Sequence, residues 1–180
     1  MTDDHKGVMT LDLATRTGWA MWRPGRHVVY GSRKLPDTGN DVGKFLCTFE
    51  DWFRERLWEL EPDVAAFELP WVGPNTAQIT AKKLMCLAGL TELVCYRMGV
   101  ICYEVNVNSV RSHFLGKVGK QSREGYKRLT IEGCRDRGWA PVNDDEADAL
   151  AILDFAAHKF KLPTDWAQSP LEAAAGRNTR

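Results

Sequence analysis

A chain of 180 residues with a formal net charge of zero has room for one domain with a proper core, and its total charge points to neither a nucleic-acid nor a membrane partner. No apolar run reaches the roughly 18 residues a membrane span requires; the richest, Leu84 to Tyr96, is broken by Glu92. The polar, acidic start is unlike a secretory signal, and the five cysteines (Cys47, Cys86, Cys95, Cys102, Cys134) lack C-x-x-C spacing. They read as reduced core thiols of a cytoplasmic protein rather than as disulfides or a zinc site.

In chain order, Val8–Leu13 reads as a buried strand. Thr17–Trp22 and His27–Leu35 follow as two more, divided by the turn signal Pro24-Gly25. Asn40 or Asp41 caps a helix to about Leu60, with apolar residues at Phe45, Leu46, Phe49, Trp52, Phe53, Leu57 and Leu60. Val64–Glu68 is a short central strand. A long helix is expected over Thr76–Met98, closed by Gly99. Its second half is apolar on nearly every side, which predicts cover on two faces: the sheet on one and a second copy of the chain on the other. Val100–Val105 is a fifth strand and Asn108–Leu115 a short helix. A basic glycine loop, Gly116–Gln121, leads to Ser122, which caps a helix to Arg137. The last helix runs from about Asp144 to Phe160. The expected domain therefore covers residues 1–162, and residues 163–180 form a tail with little core pattern apart from Trp166, expected to be poorly ordered. Three antiparallel strands followed by a strand-helix alternation predict an α/β fold: a five-stranded mixed sheet with helices on both faces, the RNase H-like arrangement.

Against this frame, four acids stand out. Asp12 and Glu68 each end an apolar strand run, where a solvated acid is unexpected. Asp145 and Asp148 are three apart at the start of the last helix and so share a face; Asp144 is an alternative to Asp145, being four before Asp148. Singly, each acid has a mild explanation as a cap or a strand end. Together, if the first and fourth strands are neighbours, they make a cluster that only a cation would stabilise. Oxygen donors in that number suit Mg²⁺, with Mn²⁺ as substitute. Two such ions about 4 Å apart are the means of metal-assisted phosphodiester hydrolysis.

The segments Leu11-Asp12 through Thr17-Gly18, Phe67-Glu68 and Asp145-Glu146-Ala147-Asp148-Ala149-Leu150-Ala151 resemble the acidic motifs of RuvC-type Holliday junction resolvases, most closely the compact, phage-like branch. The order and spacing match from about Val8 to Phe160, with Leu13-Ala14 standing where bacterial members carry Pro-Gly. The resemblance implies a homodimer that binds four-way DNA junctions and nicks two strands symmetrically, and the apolar Thr76–Met98 helix is the expected place of pairing. Its setting would be a bacterial or phage-infected cytoplasm. Asp12, Glu68, Asp145 and Asp148 would be catalytic and hold two ions. Trp71 takes the place of an aromatic that stacks on junction bases, and Arg111 that of a basic residue near the cleaved phosphate.

The charge distribution agrees with a DNA partner. Between Ser109 and Trp139 eight basic residues face three acidic ones, and Arg111, Lys117, Lys120, Arg123 and Lys127 are the expected phosphate contacts. Gly116–Ser122 fails the spacing of a phosphate-binding P-loop. The residues leave open a broader nuclease for forks, flaps and three-way junctions, or a junction-binding protein without activity.

Overall fold

The computed structural model describes residues 7–164 and 166. Five strands, β1 (Val8–Asp12), β2 (Arg16–Trp22), β3 (Val29–Lys34), β4 (Val64–Glu68) and β5 (Ile101–Val105), form one sheet in the order β3-β2-β1-β4-β5. The first three are antiparallel, and β4 and β5 lie parallel to β1. Five helices complete the fold: α1 (Val42–Leu60), α2 (Gln78–Met98), α3 (Val107–Leu115), α4 (Arg123–Asp136) and α5 (Asp144–Lys159). This is the expected RNase H-like α/β architecture, with small shifts of boundary. The third strand starts at Val29 rather than His27, and α2 at Gln78 rather than Thr76.

Period-2 alternation sorts the central strands between two cores. Met9, Leu11, Ala65 and Phe67 pack under α1 and α2, with Phe45, Phe49, Phe53 and Leu87. Val8, Ala20, Val64 and Ala66 pack under α3, α4 and α5, with Phe114, Leu150 and Leu153. The same alternation turns Thr10, Asp12 and Glu68 toward α5. Helix α1 presents Phe45, Phe49 and Phe53 one turn apart, with Phe49 and Phe53 stacked at 5.5 Å, and Asp41 caps it by accepting from the Lys44 amide at 2.8 Å. Helix α5 packs closely because small residues sit all round it: Ala147, Ala149, Ala151, Ala156 and Ala157 are all buried, with the sheet on one side and α3 and α4 on the other. The Thr10 hydroxyl donates to the Ala149 carbonyl at 2.8 Å, tying β1 to that helix.

A buried ion pair locks the α5 side. Asp154 accepts from Arg137 (3.0 Å), His113 (3.1 Å) and the Trp166 indole (2.7 Å). Burial pushes the Asp154 carboxyl up, but these donors prevail and hold it below the usual carboxylate range. Trp166, placed by its sequence in the tail, is thus buried between Trp22 and Trp139; the remainder of the tail beyond Thr164 lies outside the described residues.

Within one protomer helix α2 packs on one face, where Leu87, Ala88, Thr91, Val94 and Cys95 are buried, while Met85, Leu93 and Tyr96 are exposed, Tyr96 at 85%, on the face expected to meet a second copy. Apolar residues on both faces of a helix specify two contacts, and one protomer supplies only the first. One expectation needs correction: not all the cysteines are core thiols. All five are free, but only Cys95 and Cys134 are buried, and Cys47 is exposed. Among the described residues no helix is long and apolar enough to cross a membrane.

Candidate active site

A single row across the sheet builds the site. The register sets Asp12 opposite Gly18 on one side and opposite Glu68 on the other, so the two acids that end the parallel pair β1–β4 are neighbours. Gly18 is the space-making residue of the row. A Cβ there would lie 1.9 Å from the Asp145 carbonyl oxygen, so only glycine lets the first turn of α5 settle on β2. That turn is fixed further by Asn143, whose side chain accepts from the Glu146 amide at 2.9 Å. The buried Glu146 carboxylate in turn accepts from the Val142 amide at 3.0 Å and from Ser32 at 3.2 Å. The cap, the Glu146 carboxylate and Ser32 together join the helix start to β3. The cap is therefore Asn143, one residue before the acids that the sequence offered for the part, which leaves Asp144, Asp145 and Asp148 free for other work.

The result is an open cavity of about 490 Å³ lined by Asp12, Glu68, Asp144, Asp145 and Asp148, with Trp71, Arg111, Arg123 and Lys127. All four predicted acids meet there. Burial, then repulsion from Asp148, Glu68 and Asp145, raises the Asp12 carboxyl well above its usual value. Burial likewise lifts Glu68 to about 7, against the Arg111 guanidinium, which lowers it. Asp148 rises to about 6, through burial and then Asp144. Asp145 is raised by burial and by Asp144, with Arg16 acting against both. Asp144 differs: its ion pair with Lys127 holds it below the ordinary range despite partial burial.

The predicted bases divide. Arg111 reaches the cavity from α3, its guanidinium 5.0 Å from the ring centre of Tyr126. Arg123 and Lys127 line the wall on α4, although Lys127 is engaged by Asp144. Lys117 and Lys120 are exposed on the 116–122 loop, outside the cavity lining. Trp71 is 76% exposed, which rules out a core role, and its ring lies over Gly73, where a Cβ would meet it at 2.0 Å. Two residues near the acids carried no role in the sequence reading. Tyr126, under Arg111, gave no local signal. Arg16, whose Nε is 3.6 Å from Asp145, lies inside the first acidic segment itself.

The donor set fits a hard divalent cation. It is all carboxylate oxygen, as Mg²⁺ and Mn²⁺ prefer, and its raised pKa values mark a charge conflict that a cation would relieve. Among the described residues no three Asp, Glu, His or Cys side chains sit in a metal-binding group, so the acids line the cavity separately rather than as a closed cage.

The five-stranded mixed sheet, with an acid row crossed by a late helix, defines an RNase H-like chain. Among solved structures it resembles RuvC-type Holliday junction resolvases. Thermus thermophilus RuvC in complex with a Holliday junction substrate matches 87% of this chain and 94% of its own, with a TM-score of 0.65 and 19% identity. RuvC from the same organism in another structure gives 0.63 and 20%, over 86% and 93% of the two chains. The yeast mitochondrial Holliday junction resolvase Ydc2 gives 0.56 and 15%, over 81% and 75%. No family model and no curated protein matches the sequence significantly.

Proposed function

We propose that this chain is a divalent-metal-dependent endonuclease that resolves four-way DNA junctions by paired nicks, as a homodimer in the cytoplasm of a bacterium or a phage-infected cell. The observation that carries the reading is the convergence of Asp12 and Glu68, adjacent in register, with Asp145 and Asp148 in one open cavity beside Arg111. The fold shared with a resolvase solved on its junction supports the choice of substrate.

Asp12, Glu68, Asp145 and Asp148 would hold two Mg²⁺ or Mn²⁺ ions. When bound, the ions supply a lowered pKa for the attacking water and charge relief for the departing 3′-oxygen. The chain's own residues do the rest. Arg111, held over Tyr126 and beside Glu68 and Asp148, is aimed to take a non-bridging oxygen of the phosphate about to be cut. Arg123 and Lys127 take neighbouring phosphates, with Lys117 and Lys120 extending the track along the exposed 116–122 loop. The Trp71 ring offers a flat face for a base exposed at the branch point. A pair of such cavities related by a two-fold axis accounts for symmetric nicks. The stripe of Met85, Leu93 and Tyr96 on α2, spaced at helical intervals, is the surface through which two copies would pair.

Purified protein incubated with a labelled mobile four-way junction should release paired nicked products with Mg²⁺ and none with EDTA. Equal rates on matched forks, flaps and three-way junctions would replace junction resolution by general debranching. Tight junction binding without nicks under any divalent ion would make it a binding protein.

A further inference from the structure

The sequence puts the DNA-binding bases on α3, α4 and the loop between them. The structure adds bases on the other side of the carboxylates. Arg16 opens β2, Lys34 closes β3, and the antiparallel register sets them directly opposite one another. Their neighbours two residues along the same strands, Gly18 and Ser32, are also partners, and both face α5: Gly18 by its close approach to Asp145, Ser32 by its hydrogen bond with Glu146. Alternation puts Arg16 and Lys34 on that same side, and Arg16 is seen there, 3.6 Å from Asp145.

Two cations facing each other across adjacent strands work against pairing. Arg16 is offset by Asp145. Lys34 is exposed and, among the described residues, makes no ion pair. A lysine on an edge strand deters edge-to-edge aggregation, but that use does not call for an arginine opposite it, beside Asp145.

We propose that Arg16 and Lys34 form a second phosphate-binding subsite, which holds the DNA backbone on the side of the cavity away from α4. The inference rests on the reading of the cavity as a nuclease site for branched DNA. Charge complementarity supports this placement. A phosphate backbone laid over five carboxylates is repelled where it must react, and a single bank of bases on α3 and α4 anchors it on one side only. Bases on both sides hold the reacting phosphate in place between two fixed points. Arg16, with a guanidinium able to bridge two anions, ties Asp145 to the incoming strand.

Fluorescence anisotropy of a labelled four-way junction, with Ca²⁺ in place of Mg²⁺ and across a series of salt concentrations, tests this directly. Each lost phosphate contact lowers the slope of log affinity against log salt by about 0.9, and so weakens binding about 5–10-fold near 0.1 M salt. Because a dimer carries each substitution twice, Lys34→Gln should show two such losses per complex, Arg16→Gln/Lys34→Gln close to four, and Lys34→Arg close to none. Arg54→Gln, on α1 beneath the opposite face of the sheet, should leave slope and affinity unchanged. Wild-type slope and affinity in both Gln variants, with Arg123→Gln still lowering them, would overturn the second subsite while leaving the active-site reading intact. Failure of the wild-type chain to bind branched DNA would remove both. Lys34, an exposed strand-end side chain, carries the test alone if the double variant does not fold.

Discussion

The acids of the cavity are balanced differently, and that sets their individual behaviour. Asp148 has its carboxyl raised to about 6 and Glu68 to about 7, so below pH 6 both carry protons that a cation must displace. Cleavage should therefore fall as pH drops from 8 to 6, measured as initial rate at fixed Mg²⁺. The same shifts act on stability with a definite sign. A carboxyl whose folded pKa lies above its unfolded value binds more protons when folded, so its contribution declines as pH rises between the two values. For Glu68 that window runs from about 4.5 to about 7. In EDTA at pH 8, Glu68→Gln should be more stable than the parent by about 1–2 kcal/mol, several degrees in a thermal melt, while losing cleavage by more than about 100-fold. A fall in melting temperature in that variant would mean that the Glu68 charge is compensated from within the protein.

Much at this scale was legible in the residues. Asp12 and Glu68 each end an apolar run, and Asp145 and Asp148 share a helical face, so convergence followed from a guess of strand order. Arg16 was not legible, because an arginine in a strand-turn segment has no local signature; only the register and the position of α5 bring it to Asp145. The engagement of Lys127 by Asp144 was hidden for the same reason: it is a contact between two helices with no fixed spacing in sequence.

At the scale of elements, the site depends on how low α5 sits. Gly18 makes that possible, since any side chain at this position must displace the Asp145 backbone. Gly18→Val should destabilise by more than about 2 kcal/mol in urea unfolding and abolish cleavage even where protein remains folded. Asn143→Ala, which removes the helix cap and one anchor of Glu146, should cost about 1 kcal/mol and leave slow but measurable cleavage. The helices and strands themselves were readable to within two residues, because periodicity and turn residues agree along nearly the whole chain. The cap was the exception. Asn143 precedes Glu146 by three residues, but the adjacent acids Asp144 and Asp145 competed for the same role, and only burial and partners decide among them.

For the whole molecule, the uncovered side of α2 is the main unspent feature. Apolar side chains at Met85, Leu93 and Tyr96 were read in sequence as a sign of two-sided cover, and one protomer covers one side. Leu93→Glu/Tyr96→Glu should shift the protein from dimer to monomer in sedimentation velocity, with little change in the thermal midpoint at low concentration. The monomer should still bind DNA through its basic bank but lose paired nicking. Composition could not reveal this, since a helix buried within one domain and one shared between two chains have the same pattern.

The central claim is that acids from β1, β4 and α5 gather to hold divalent ions against a DNA phosphate. Diffraction from crystals soaked in Mn²⁺, recorded where manganese scatters anomalously, addresses it without passing through activity. Two peaks are expected within coordinating distance of Asp12, Glu68, Asp145 and Asp148, both lost in Asp12→Asn/Asp148→Asn. Manganese bound elsewhere, or no peak in the cavity at millimolar Mn²⁺, would contradict it.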